Sequence, residues 1–205
     1  MLVVGAGGLS LQLVDDLIEQ GYADECYFYD DQTDQQRFLN FPVIKTEDEV
    51  KEMLSETNSY LLGVGGTRIR LSLSEKFDRM GGEMVSFISK KSEISRFVEK
   101  IEKGVLVLRN SIIEPKVHVG RGSLLNVNVT LTHESRVGSF CELGPRVTLL
   151  GKSEVGDFSF VGAGSIVLPN VKIGKNVVVG AGSVITKDVA DNQKVVGIPA
   201  RPLNA

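Results

Sequence analysis

The chain has 205 residues, room for one large or two small domains, and a net charge of −3 from 23 Lys and Arg against 26 Asp and Glu. Its basic residues are scattered, which argues against a nucleic-acid partner, and it shows neither a signal peptide nor an apolar run long enough to span a membrane. Cys26 and Cys141 are too few for a disulfide framework, so these features together point to the cytoplasm.

In chain order, LVVG at 2–5 reads as a short buried strand. GAGGLS follows, then a helix with apolar spacing at Leu11, Val14, Leu17 and Ile18, stopped at Gly21. CYFYDD is the next strand and ends in Asp30 and Asp31. FPVIK is a weaker strand. TEDEVKEMLSE is a helix with Thr46 at its N-cap and Glu49 completing a capping box. SYLLGVGG is a buried strand running into a second Gly turn, and TRIRLSLSEKFDRMGG is a third helix. This is a small parallel α/β sheet over 1–84.

GAGGLS is half of a dinucleotide fingerprint, with Ser10 at the third glycine place. Asp30 stands where an acid would meet a ribose hydroxyl. The second half of an NAD domain does not fit before the next segment, so NAD is not expected. Backbone N–H groups at the helix start suit a nucleotide phosphate instead. Gly5, Gly7, Gly8, Asp30 and Asp31 are therefore candidate substrate-binding residues, and Gly65 and Gly66 form a second Gly turn. The same glycines also read as plain strand-to-helix turns.

From Ile88 to Val189 the chain reads in sixes. The first position, from Ile88 through Val107, Leu125 and Leu143 to Ile185, is aliphatic in all seventeen hexads. The fifth is always Ser, Val or Cys, and the second is often Gly, as at Gly120, Gly138 and Gly156. One extra residue interrupts the period near Lys100. A hexapeptide period reads as a parallel β-helix with three hexads to a coil. The aliphatic residue fills the axis, the small one sits at the corner, and Gly tolerates the turn. Cys141 is then a small core residue. The coil spans 85–190, and 191–205 departs from the pattern as a C-terminal loop and tail.

On these hexads and the β-α-β unit before them, the chain resembles the left-handed β-helix hexapeptide acyltransferases. More closely, it is similar to the branch that acetylates nucleotide-linked amino sugars or sialic acids and carries a small Rossmann-like domain. The family's first turn commonly reads Gly-x-x-Gly-His-Gly, where this chain has Leu9 and Ser10. The Asp pair at 30 and 31 matches, and the second turn, GVGGTRIR, resembles a family turn that more often carries Asn after its Gly, which implies substrate binding at Gly65 and Gly66 too. The resemblance implies an acetyl-CoA-dependent acyltransferase for surface glycan synthesis, with the nucleotide sugar held by the N-terminal domain. It implies a homotrimer with acetyl-CoA between neighbours. Sialic acid O-acetylation is the rival in the same class, and a non-catalytic sugar-nucleotide scaffold the rival outside it.

There are two histidines. His118, between two valines, reads as a strand-face residue. His133, in LTHESR, projects from a corner and matches the family's His-Glu pair. The match implies a general base, for which imidazole suits neutral pH, with Glu134 or Glu142 orienting the ring. Relatives often carry a second His where Glu142 stands. Carbonic anhydrases share this coil, but their zinc needs three His ligands, so no metal is expected.

Residues 18 apart stack in successive coils, which places His133, Gly151, Pro169 and Lys187 in one row and Ala163 and Ala181 in another. Along these rows the resemblance implies the acetyl-CoA site. The backbone N–H of Gly151 faces the oxyanion, Ala163 and Ala181 leave room for the arm, and Lys187 and Arg201 reach the phosphates.

Overall fold

A computed structural model describes residues 1–22 and 26–203, which divide into two compact units, Met1–Ser86 and Phe87–Ala205.

In the first unit the order is β1 (Leu2–Val4), α1 (Gly8–Glu19), β2 (Tyr27–Tyr29), β3 (Arg37–Phe38), β4 (Phe41–Ile44), α2 (Glu47–Thr57), β5 (Ser59–Leu62), α3 (Thr67–Arg79) and β6 (Glu83–Met84). The sheet runs β3-β4-β2-β1-β5-β6 and is parallel except for β3 against β4. Strand β1 thus has β2 on one flank and β5 on the other, and the crevice at its C-terminal end is the topological switch point where α/β sheets bind ligands. Thr46 and Glu49 form the expected capping box. Strand β3 is not legible in the sequence because it is two residues long. It exists because Phe38 is buried against the Phe28 ring, 4.7 Å between centroids.

The second unit is a parallel β-helix of two-residue strands on three sides. Val107 pairs with Leu125, Ile113 with Leu131 and Val119 with Val137, all 18 apart. In the first coil Ile88 pairs with Val107 and Ile94 with Ile113, 19 apart, so the extra residue falls between Ile94 and Ile101. First and fifth positions together form one continuous core. Several fifth-position serines stitch the coils, while the buried hydroxyls of Ser135 and Ser153 have no partner among the described residues. Ser123 Oγ donates to the Gly138 carbonyl at 2.7 Å and accepts from the Cys141 N–H at 2.9 Å, and Ser159 repeats this with Gly174 and Val177.

The glycines serve a different purpose from the one the repeat suggests. The left-handed backbone falls at the fourth position, φ +60° at Asn128 and +61° at Glu134, and not at the second. Second-position glycines are there because the next coil lies too close. A Cβ on Gly138 would stand 2.6 Å from the backbone nitrogen of Asp157. The tail also differs from a loop. Lys194–Gly197 adds a parallel strand beside Val178–Val179, and Ala200–Pro202 folds back on it antiparallel. Val195 supplies the buried residue that closes the core.

Cys26 and Cys141 are both buried free thiols, and burial pushes the Cys141 thiol up to about 12. A thiolate is the reactive form. Folded protein at pH 8 is therefore expected to leave both thiols unreacted with a disulfide reagent, and denatured protein to titrate both. Rapid modification of the native chain would contradict this packing.

Candidate active site

His133 stands at the corner between the coil's second and third sides, with a side chain 59% exposed. Three neighbours define it. Its Nδ1 lies 3.4 Å from Glu134 Oε1. Glu134 takes the left-handed fourth position, φ +61°, which turns its carboxylate back beside the ring, and Lys152 Nζ stands 3.9 Å from that same oxygen. The ring itself lies over Gly151 in the next coil. A Cβ there would sit 2.5 Å from His133 Cε1 and 2.7 Å from Nε2, so only glycine leaves the ring where it is. Glu142 lies on the coil's first side, in register with Leu124 and Phe160, so within one chain it does not border this corner.

A second feature is the third-position backbone N–H, which points out of the corner and belongs to no ladder. Buried or ligand-facing amides need an acceptor, and the coil supplies one at several of these places. Glu102 caps Arg121 at 3.1 Å, Asn126 caps Val127 at 2.8 Å, Asp157 caps Ser139 at 2.9 Å and Asp191 caps Lys175 at 2.8 Å. Pro115, Pro145 and Pro169 have no N–H to cap. Among the described residues, the third-position amides of Lys90, Arg96, Gly151, Asp157, Ala163, Ala181 and Lys187 have no protein acceptor. Four of those seven are residues for which the sequence implies acetyl-CoA contact. Gly151 and Lys187 share the His133 corner, whereas Ala163 and Ala181 occupy the corner between the first and second sides, so one chain does not gather them in a single row.

At the C-terminal end of the coil, Lys187 and Arg201 both line a cavity of about 470 Å³ with Ile185, Val195 and Pro202. This brings together two cations that are 14 residues apart in sequence.

In the first unit a cavity of about 530 Å³ opens at the ends of β1, β2 and β5, within the usual range for a small-ligand site. Gly5, Asp30 and Asp31 line it. The two acids differ. Asp30 braces the turns, accepting from the Ala6 N–H at 3.1 Å and the Gln32 N–H at 2.9 Å. Asp31 accepts from Gln32 Nε2 at 2.8 Å and from the Tyr29 hydroxyl at 2.9 Å, and these bonds hold its carboxyl below the usual range. Burial raises the Tyr29 hydroxyl, and Lys76 Nζ donates to it at 3.0 Å. Gly7 is the N-cap of α1 and offers no side-chain acceptor, and both Gly7 and Gly8 face open space, so the helix start is accessible to an anion. Ser10, at the family's third glycine place, is buried and donates to the Gly5 carbonyl at 2.7 Å, tying β1's end to the helix. Gly65 and Gly66 form the turn into α3, with Gly66 at φ +86°, but they do not line the cavity. The helix face of Arg68, Ile69, Ser72 and Leu73, which forms its far wall, was missed. Its i, i+1, i+4, i+5 spacing was the available signal. Buried Arg70 donates from Nη1 to the Leu62 and Val64 carbonyls at 3.0 and 2.8 Å, fixing that wall to β5.

Comparison with known proteins gives residues 1–77 as a match to the PglD N-terminal domain and residues 152–187 as a match to the bacterial transferase hexapeptide (six repeats). The structure is similar to GDP-perosamine N-acetyltransferase from Caulobacter crescentus, solved as a mutant with CoA and GDP-perosamine. The identity is 27%, covering 100% of this chain and 96% of that one, with a TM-score of 0.92. It is similar to the acetyltransferase domain of PglB from Neisseria gonorrhoeae in complex with acetyl coenzyme A, at 28% identity, 98% of each chain and a TM-score of 0.91. WeeI from Acinetobacter baumannii, at 22% identity over 98% of each chain with a TM-score of 0.87, shares the fold.

Proposed function

We propose that this chain, a hexapeptide-repeat acyltransferase with a PglD-type N-terminal domain and a left-handed β-helix, transfers the acetyl group of acetyl-CoA to the amine of a nucleotide-linked amino sugar. One observation carries the reading. An exposed imidazole sets its Cε1–Nε2 edge against a glycine whose amide has no protein acceptor, in a coil whose solved neighbours include a GDP-perosamine N-acetyltransferase with CoA and GDP-perosamine and an acetyltransferase domain with acetyl coenzyme A.

The chemistry follows from that pairing. His133 takes the proton released as the sugar amine attacks the thioester carbonyl, and returns it to the sulfur as the C–S bond breaks and CoA leaves as the thiol. The Gly151 N–H donates to the oxygen on which negative charge develops. Glu134 orients the ring through Nδ1. Ala163, Ala181 and Lys187 supply further open amides for the pantetheine arm, and Lys187 and Arg201 supply charge for its phosphates. Because Ala163 and Ala181 lie on a different corner from Gly151, a second copy of the chain is needed to complete one site. A homotrimer meets that need, and a contribution from Glu142 also requires a neighbour. Exposed Ile112, Ile166 and Val178 on the first and second sides support lateral association, whereas the outward residues of the third side, such as Lys100, Arg136 and Lys172, are charged. No described helix is long and apolar enough to cross a membrane, and two free thiols fit the reducing cytoplasm.

The nucleotide end is assigned to the cavity beside Asp31, with phosphate at the start of α1. Asp31→Ala is expected to raise the acceptor KM about 10-fold or more, the loss of a charge-assisted hydrogen bond, and to leave the acetyl-CoA KM unchanged. Asp30→Ala is expected to do the same with a lower melting temperature, since Asp30 braces two turns. Unchanged acceptor kinetics in both would remove this cavity from the reaction. The activity itself is tested by thiol release from acetyl-CoA with UDP- and GDP-linked amino sugars. Release with none of them, or equal release with the free amino sugar, would sink the proposal.

A further inference from the structure

The capping pattern assigns positioning roles to two residues next to the reacting corner. At the second position of a hexad, a long acceptor caps the amide 19 residues on. Glu102 does so for Arg121, and Glu114 Oε2 does so for His133 at 2.8 Å. Thr132 occupies the same place one coil after Glu114, and 19 residues on from it stands Gly151. Thr132 does not cap. Its Oγ1 is too short to follow the glutamate path, and it donates to the Leu149 carbonyl at 3.0 Å. In the next coil the third position is Pro169, which has no N–H.

We propose that Glu114 and Thr132 are positioning residues that decide which corner amide is closed and which is open. Glu114 closes the His133 amide and fixes the backbone that carries the imidazole. Thr132 withholds the same cap from Gly151, so that among Pro115, His133, Gly151 and Pro169 one amide alone faces the reaction. This inference rests on the acetyl-transfer reading above for its catalytic consequence, but the capping itself is a property of the free protein.

The physical argument is a competition. An amide bonded to a carboxylate in the same chain is not available to a developing oxyanion, and charge-assisted bonds of this kind are strong. A Thr132→Glu or Thr132→Gln side chain has the length that Glu114 uses and a half-buried position like that of Glu114, so it should reach the Gly151 N–H. Removing one oxyanion donor costs roughly 10²–10³-fold in kcat. Glu114→Ala frees the His133 amide and loosens the corner, for an expected loss of up to about 10²-fold. Glu114→Gln keeps the acceptor and restores turnover.

The test measures two things on the intact protein: amide hydrogen exchange at His133 and Gly151, and kcat with both KM values. Wild type is expected to show a protected His133 amide and a fast Gly151 amide. Thr132→Gln and Thr132→Glu should slow Gly151 exchange and lower kcat with the acceptor KM unchanged, and Glu114→Ala, but not Glu114→Gln, should speed His133 exchange and lower kcat. A Gly151 amide that stays fast in both Thr132 variants overturns the capping assignment. A slowed Gly151 amide with wild-type kcat overturns the catalytic role of that amide. The expected exchange pattern in a protein that acetylates no nucleotide amino sugar leaves the capping standing and sinks the acetyl-transfer reading alone.

Discussion

His133→Ala is expected to lower kcat by roughly 10²–10⁴-fold, the usual contribution of a positioned general base, with both KM values close to wild type. The side chain is mostly exposed and its contacts are to Glu134 and the face of Gly151, so the fold should not notice its loss; exposed substitutions generally fall within about ±0.5 kcal/mol. Glu134→Gln keeps the shape beside Nδ1 and loses the charge, and should fall between wild type and the alanine variant. A His133→Ala protein that turns over near-normally would remove the imidazole from the reaction, whatever its position.

The second large effect is at Gly151. Gly151→Ala adds one methyl group 2.5 Å from His133 Cε1. Glycine is not needed here for its dihedral angles, since Gly151 is not among the residues at positive φ. The obstacle is the tip of a mobile side chain, so the backbone can stay and the ring must swing away. The expected result is a loss of up to about 10²-fold in kcat, the cost of misplacing a reacting group by an ångström, with an unchanged melting temperature. Gly138→Ala provides the contrast. There the new Cβ would stand 2.6 Å from the backbone nitrogen of Asp157, which cannot move without opening the coil, and a clear fall in melting temperature is expected. If Gly151→Ala unfolds the protein as Gly138→Ala does, the glycine serves packing rather than the imidazole.

These two glycines also mark how far the sequence could be read. The hexad period carried the coil, its register and the single extra residue between Ile94 and Ile101, because the first and fifth positions are constrained by one continuous core. The reason for the second-position glycines was not legible. Close approach between coils and positive φ leave the same residue in the sequence, and the structure separates them. His133, Gly151, Ala163 and Ala181 could be picked out by resemblance and register, but the open amides of the last three could not, since an uncapped N–H is defined by what neighbouring coils fail to supply. Glu114 and Thr132 were invisible for the same reason. Their role depends on an offset of one coil plus one residue. In the first unit, Asp30 and Asp31 read as a pair. Both line the cavity, and the structure makes Asp30 a brace as well, a difference set by the two backbone amides that face it.

The central claim is that the His133 corner with its open Gly151 amide is where the acetyl group is transferred. A crystal structure of the protein with acetyl-CoA tests it most directly. The predicted result is a thioester carbonyl oxygen about 2.7–3.1 Å from the Gly151 nitrogen, with the His133 ring beside the carbonyl carbon. A thioester bound away from this corner, or a Gly151 amide already held by a protein acceptor, would contradict the account.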